Sequence, residues 1–392
     1  MASRSDSTFS PASRTMLERL VAFPTVSRDG NLELIDYVRS YLQGFGIASE
    51  LTFDDERRKA NLFATIGPED RGGICLSGHT DVVPVDGQDW SVPPFAVTER
   101  EGRLHGRGAC DMKGFLAAVL GLVPEFLEQN LRIPIHLALS YDEEVGCLGV
   151  RRLLARLAER EVKPAACIVG EPTGMTPVTG HKGKLSMRCH VHGLECHSAI
   201  APTGVNAVEY AAELIVRLRR MAAARRTGGP FDLAYDPPYT TIHTGVVQGG
   251  TALNIVPRDC RFDFEFRYLP ADDPGRLLAE VTDFAARELL PQMRAVSPDA
   301  GFRFEEIAAF PGLAMTDDDP VTRQVMELTG AERTGRVSFG TEAGLFQAAG
   351  IPTIVCGPGQ IAQAHKPDEF IEIDQLARCE GFLRRLADRI AG

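Results

Sequence analysis

Four short, largely apolar runs, Ile74–Ser77, Ile133–Tyr141, Ala165–Val169 and Pro352–Cys356, constrain this chain more than any other feature. A strand without a polar face must be covered on both sides. Stretches with apolar residues at helical spacing lie between the runs, at Met112–Gln129 and Gly149–Arg160. Together they predict an α/β fold, a mostly parallel sheet with flanking helices. Near the N-terminus Ile35, Val38, Leu42 and Phe45 recur at helical spacing, and Gly44 and Gly46 supply a stop. Residues 1–12 are Ser-rich and predict a frayed end.

The middle of the chain follows a different rule. Leu185, Met187, Cys189 and Val191 alternate with Ser186, Arg188, His190 and His192. Cys260, Phe262, Phe264, Phe266 and Tyr268 alternate in the same way with Arg261, Asp263, Glu265 and Arg267. A period of two with one polar face predicts half-buried antiparallel strands. Helices are expected from Asn206 to about Ala224 and over Gly275–Leu290, with further strands near Thr240–Val247 and Phe302–Ile307. The resulting order βαββαβ is that of a ferredoxin-like α+β domain. The expected organisation is a larger α/β domain in two parts, 1–182 and 312–392, with a smaller α+β domain inserted over 183–311. A length of 392 residues, at about 150 per domain, allows this.

Composition narrows the function class. Hydrophobic residues at 44% and charged residues at 24% suit a soluble chain with a full core, which excludes a disordered or fibrous protein. Lys and Arg number 42 against 53 Asp and Glu, a formal charge of −11, which argues against nucleic acid or an anionic membrane as partner. Nine cysteines without a Cys-x-x-Cys pair suggest reduced thiols rather than a disulfide framework. The first twenty residues carry no apolar signal-peptide run, and the longest apolar stretch, Phe115 to Leu127, is interrupted by Gly121, Pro124 and Glu125. A cytoplasmic protein is expected.

No Gly-x-Ser-x-Gly elbow, P-loop, dinucleotide-binding glycine motif or His-Glu-x-x-His occurs. Instead, histidines and carboxylates follow the apolar runs. His79 and Asp81 follow the first, Glu143 and Glu144 the second and Glu171 the third, while His365 lies beyond the fourth and Asp111 opens a helix. The carboxyl ends of strands in an α/β sheet border one crevice, so a single fold can gather them. Two histidines with several carboxylates suit Zn²⁺ or a similar divalent ion, and one bridging carboxylate could serve two ions. A carboxylate left over is available as a general base. His105, His136 and His243 lack such support and read as structural, and Cys110, Cys147 and Cys356 read as packing residues.

The segments LSGHTDVVPVDGQDW, HGRGACDMKGFLA, YDEEVGCLG, VGEPTG and GQIAQAHKPDEF, in that order, resemble the metal motifs of the aminoacylase/carboxypeptidase family of dinuclear zinc exopeptidases. The resemblance runs from about residue 15 to the C-terminus. It implies that His79, Asp111 and Glu171 bind one Zn²⁺ (or Co²⁺) and that Asp111, Glu144 and His365 bind a second, with Asp111 bridging. It also implies that Asp81 hydrogen-bonds the His79 imidazole and fixes its tautomer, that Glu143 moves the proton, and that a cis peptide follows Asp111. It implies that the two-part domain is the catalytic metal-binding one and that the inserted domain is a lid and homodimer contact, with an oxyanion role for His197 and substrate-binding roles for Arg267 and Asn254.

The further segments HKGK and SFGTEAG point within the family to removal of an acetyl group from an α-N-acetylated amino acid, N2-acetyl-L-ornithine above all. Glu342 is expected to place the cationic δ-ammonium of that substrate. Other N-acyl-amino-acid deacylases, a succinyl-diaminopimelate desuccinylase and a dipeptidase share the same motifs and stay open. A non-catalytic binding protein would be expected to have lost ligands or base, and each of those residues is present here.

Overall fold

The computed structural model describes residues 9–392, so most of the frayed end expected over residues 1–12 lies outside the described residues. The helix Pro11–Val21 begins within that span, because Ser10 accepts from the Ser13 N–H and Pro11 presets the first turn. The chain forms two compact units. One comprises the chain up to Gly180, Leu313–Gly335 and Thr341–Gly392; the other comprises His181–Gly312 and Arg336–Gly340.

The principal strands of the first unit are β1 (Ser49–Phe53), β2 (Ala60–Ile66), β3 (Ile74–His79), β4 (Ile135–Ser140) and β5 (Ala166–Pro172). Those of the second are β6 (Gly183–His192), β7 (Thr241–Gly249), β8 (Asp259–Tyr268) and β9 (Gly301–Phe310), after which β10 (Thr353–Gly357) returns to the first. In the first sheet the order is β1-β2-β4-β3-β5-β10. Strands β4, β3, β5 and β10 run parallel, and β2 and β1 extend that edge antiparallel. Every residue of the four parallel strands is buried, which is why they read as unbroken apolar runs. Register puts His79 opposite Ser140 and Ser77 opposite Val169, so the carboxyl ends of β3, β4 and β5 lie side by side.

The helix Lys113–Gly121 is buried along its whole length. A single helix over Met112–Gln129 is not formed. It breaks at Leu122 and resumes as Val123–Glu128, because Pro124 lacks the N–H that would continue the first ladder. Gly170 lets this layer approach β5 closely, since a Cβ there would meet the Phe115 ring at 2.0 Å.

In the second unit the order is β7-β8-β6-β9, antiparallel throughout. This is the arrangement of the βαββαβ split unit. Phe262, Phe264 and Phe266 are buried with Leu185, Met187 and Cys189 beneath the helices Ala207–Gly228 and Pro274–Phe284. Asn206 caps the first of these helices by accepting from Val208 and Glu209, and Asp273 caps the second. On the opposite face Arg188 donates twice to Asp263, at 2.8 and 2.7 Å. The expected helix to Leu290 changes winding at Ala285–Leu289, a π-helical turn, before Leu290–Val296. Arg336–Gly340 packs with this unit, a return of the chain that lies beyond the 183–311 boundary. Among the described residues no helix is long and apolar enough to cross a membrane.

Phe266 is fully buried at the centre of the second core. Phe266→Ala is expected to cost about 3–5 kcal/mol, read as a lowered urea midpoint.

Candidate metal centre

His79 ends β3 and Glu171 lies near the end of β5. Glu143 and Glu144 occupy the turn after β4, and His365 the loop after β10. Asp111 stands just before the helix Lys113–Gly121, and the peptide bond from Asp111 to Met112 is cis. Residues spread over almost 290 positions therefore reach one crevice at the carboxyl ends of parallel strands.

The Asp111 carboxylate lies at the middle of this cluster. Its Oδ1 is 3.0 Å from His79 Nε2, and its Oδ2 is 3.1 Å from His365 Nε2. Glu171 Oε1 lies 3.8 Å from His79 Nε2, and Glu144 Oε1 lies 3.1 Å from His365 Nε2. Donor atoms of His79, Asp111 and Glu144 converge within 4.8 Å of one another, as do those of His79, Glu143 and Glu171. His79 is 1% exposed, while the His365 side chain is 47% exposed. One half of the cluster is enclosed and the other faces solvent.

The electrostatics fit a site for cations. Burial pushes the Glu143 and Glu171 carboxyls well above the carboxylate range, and it raises Glu144 too, with Asp111 adding repulsion. Burial opposes ionisation of Asp111 as well, but hydrogen bonds from His365 and His79 hold it below its usual value. Burial would lower His79, yet Asp111, Glu171 and Asp81 raise it well above the imidazole range. Asp111 and Glu144 bring His365 up to about 10. Both rings thus sit in a strongly anionic setting that favours positive charge. Four carboxylates and two imidazoles, all nitrogen and oxygen donors, suit Zn²⁺ or a similar ion.

Asp81 hydrogen-bonds the His79 ring through its main chain rather than its carboxylate. His79 Nδ1 donates to the backbone carbonyl of Asp81 at 2.9 Å, which leaves Nε2 facing Asp111. The Asp81 carboxylate lies 3.6 Å from that ring. It accepts instead from the Ser27 hydroxyl at 2.7 Å and from the backbone N–H groups of Glu143 (3.1 Å) and Glu144 (3.3 Å). Lys59, 2.6 Å from Asp142, holds the same turn from the other side.

Glu342 is 1% exposed, just before the helix Ala343–Ala348, with Ser140 and Ser77 beside its carboxyl. Burial pushes it up to about 7, with Ser140 and His79 nearby opposing.

Three residues singled out in the sequence belong to the second unit. His197 is exposed, and its Nδ1 accepts from the Ala199 N–H at 3.1 Å, so the neutral ring carries its proton on Nε2. Arg267 is half-buried and donates through Nε to Glu265 at 3.1 Å. Asn254 is exposed, and its carbonyl accepts from the Ser198 N–H.

Motif reading missed Glu369, which lies behind Asp111 and accepts from the N–H groups of Cys110 and Asp111. A charge buried in a loop leaves no periodic signal. It also missed Lys113, whose buried ammonium donates to the Phe23 carbonyl and is lowered by burial to about 7. Of the cysteines read as packing residues, Cys147 donates its thiol to Glu143 at 3.4 Å. His136 is buried beside Thr65 and stacked on Phe63, and His105 contacts the Asp368 carbonyl.

Against known proteins, a model of peptidase family M20/M25/M40 matches residues 75–389. The chain belongs to this family. Among curated M20-type relatives, an acetylornithine deacetylase of Myxococcus xanthus is 35% identical over 97% of this chain and 98% of its own length. One of Proteus mirabilis is 34% identical over 91% of each. The fold matches that of an M20 family metallo-carboxypeptidase from Sulfolobus solfataricus, with TM-score 0.75, 19% identity, and 96% and 98% coverage. It also matches a dinuclear metal binding M20 peptidase from Bacillus subtilis, with TM-score 0.63, 16% identity and 97% of each chain. As an M20 member the chain is a hydrolase of a metal-dependent family.

Raised imidazole values mean that cations must displace protons here. Metal binding at pH 7 is expected to release protons, and affinity is expected to fall as pH is lowered. Titration calorimetry in buffers of different ionisation enthalpy checks both.

Proposed function

We propose that this M20 hydrolase removes the acetyl group of N2-acetyl-L-ornithine, yielding L-ornithine and acetate, with two Zn²⁺ ions held by His79, Asp111, Glu144, Glu171 and His365. One observation carries the reading of the site. The two oxygens of Asp111 each face a different imidazole, 3.0 and 3.1 Å away, and each imidazole has its own second carboxylate. This pairing supports two cations sharing Asp111 as a bridge. The substrate is supported by relatives named acetylornithine deacetylase over nearly the whole chain.

Bound there, the cations would acidify a shared water and polarise the amide carbonyl. Glu143 lines the same cluster without contacting either imidazole through a hydrogen bond, and its carboxyl, raised by burial, suits a group that accepts and returns a proton. It takes the proton of the attacking water and passes it to the leaving amine nitrogen. Asp81 fixes this turn through the N–H groups of Glu143 and Glu144. His197 is assigned the oxyanion, for which its Nε2–H is the available donor. Arg267 is assigned the substrate carboxylate, and Asn254 a polar contact to substrate.

The assembly is read as a cytoplasmic homodimer formed through the second unit. There β7 is an edge strand, with Val246 and Val247 exposed along it and Leu253 exposed beyond it.

Glu143→Ala is expected to lose about 10²–10⁴-fold in kcat while retaining two metal equivalents. His365→Ala and Glu144→Ala are expected to retain one. Wild-type turnover by Glu143→Ala would remove the proton-transfer role. For the substrate, the purified chain is assayed on acetylornithine, acetylmethionine, succinyl-diaminopimelate and a dipeptide, with and without Zn²⁺ or Co²⁺. Metal-dependent preference for acetylornithine is expected, and a preference for another member of the panel discards the substrate while keeping the centre.

A further inference from the structure

Behind the cluster lies a second buried charge pair that the reaction scheme does not use. Arg107 and Glu369 side chains are each 1% exposed, with Arg107 Nη1 donating to Glu369 Oε2 at 2.6 Å. The other oxygen, Oε1, accepts from the N–H groups of Cys110 (3.0 Å) and Asp111 (3.1 Å). One carboxylate thus holds both the guanidinium and the peptide from which the bridging side chain projects. Both N–H groups lie just ahead of the helix Lys113–Gly121, in the segment that carries Asp111.

Arg107 continues the connection toward the other half of the cluster. Its Nη2 donates to Gln88 Oε1 at 2.6 Å, and Gln88 Nε2 donates to the carbonyl of His365 at 3.2 Å. Trp90 donates to the same Gln88 oxygen at 3.0 Å, and the guanidinium lies 5.0 Å from the Trp90 ring centre. His365 has φ +62°, a left-handed conformation that a non-glycine residue keeps only where its surroundings hold it. It also lies on the solvent side of the cluster, where little packing restrains it.

We propose that Glu369, braced by Arg107, is a positioning residue that sets the Asp111 bridge and the His365 loop at the spacing two cations require. This rests on the metal-centre reading above. It assigns Glu369 no contact with substrate. Buried ion pairs contribute little to stability when compared with apolar substitutes, but removing one partner leaves a charge stranded. Here the stranded charge is tied to backbone on either side of the cluster, so the expected loss falls on metal binding.

The test compares the full-length protein with Glu369→Gln and with Arg107→Lys. Glu369→Gln keeps an oxygen for the two N–H groups and loses the ion pair. Arg107→Lys keeps the charge and loses the planar fork that spans Glu369 and Gln88. Zn²⁺ affinity is read by chelator competition without substrate, alongside thermal melting of the metal-free protein and steady-state kinetics. Glu369→Gln is expected to bind at least one equivalent about 10–100-fold more weakly. At limiting Zn²⁺ its kcat falls while KM stays within about twofold, and added Zn²⁺ restores activity in part. Arg107→Lys is expected to shift affinity in the same direction by less.

A folded Glu369→Gln that binds two equivalents at wild-type affinity overturns the proposal, whatever its melting temperature. If Glu369→Gln does not fold, unchanged affinity in Arg107→Lys overturns it instead. A wild-type chain that binds no metal defeats the metal-centre reading itself. A substrate other than acetylornithine leaves this result untouched, because affinity is measured without substrate.

Discussion

The structure depends on concentrating negative charge where water is scarce. Asp111, Glu171, Asp81 and Glu369 are all buried at one end of the first sheet, with Glu143 and Glu144 partly buried beside them. Removing carboxylates from water is costly unless each finds donors. Two solutions are visible. Asp81 and Glu369 are satisfied by backbone N–H groups, a hydroxyl and a guanidinium, all supplied by the fold. Asp111, Glu144 and Glu171 are left facing imidazoles, a donor set that remains electrostatically incomplete without added positive charge.

Fold and site are linked by strand direction. Because β4, β3, β5 and β10 run parallel, each delivers its following residues to the same edge. An antiparallel arrangement would have sent alternate loops to the opposite end of the sheet. The buried helix Lys113–Gly121 and the missing side chain at Gly170 then allow the Asp111 loop to lie against β5, close to Glu171. Close packing of this layer is what makes distances near 3 Å between residues so far apart in sequence sustainable.

The parallel strands were legible because their burial on both faces erases any polar alternation, and the second sheet because its alternation is clean from Leu185 to Val191 and from Cys260 to Tyr268. Strand β1 was not singled out: Ser49–Phe53 is half-buried throughout, so neither pattern applies. The helix break at Leu122 was missed because the apolar pattern continues through Pro124, where backbone chemistry rather than hydropathy decides. At the site, residue types and order could be read from motifs, but which atom of Asp81 meets His79 could not, since a carbonyl contact carries no side-chain signature.

The grip on the two site-bearing loops is made on main chain. Asp81 holds the N–H groups of residues 143 and 144, and Glu369 those of residues 110 and 111. Such a grip is indifferent to what side chain each held residue carries. Position 110 can change its side chain within the limits of space and still be held, and the identities at 143 and 144 are free to be set by chemistry alone. Only proline, which has no N–H to offer, is excluded at all four by the hold itself. The chain has thereby separated the problem of where its reactive groups sit from the problem of which groups they are.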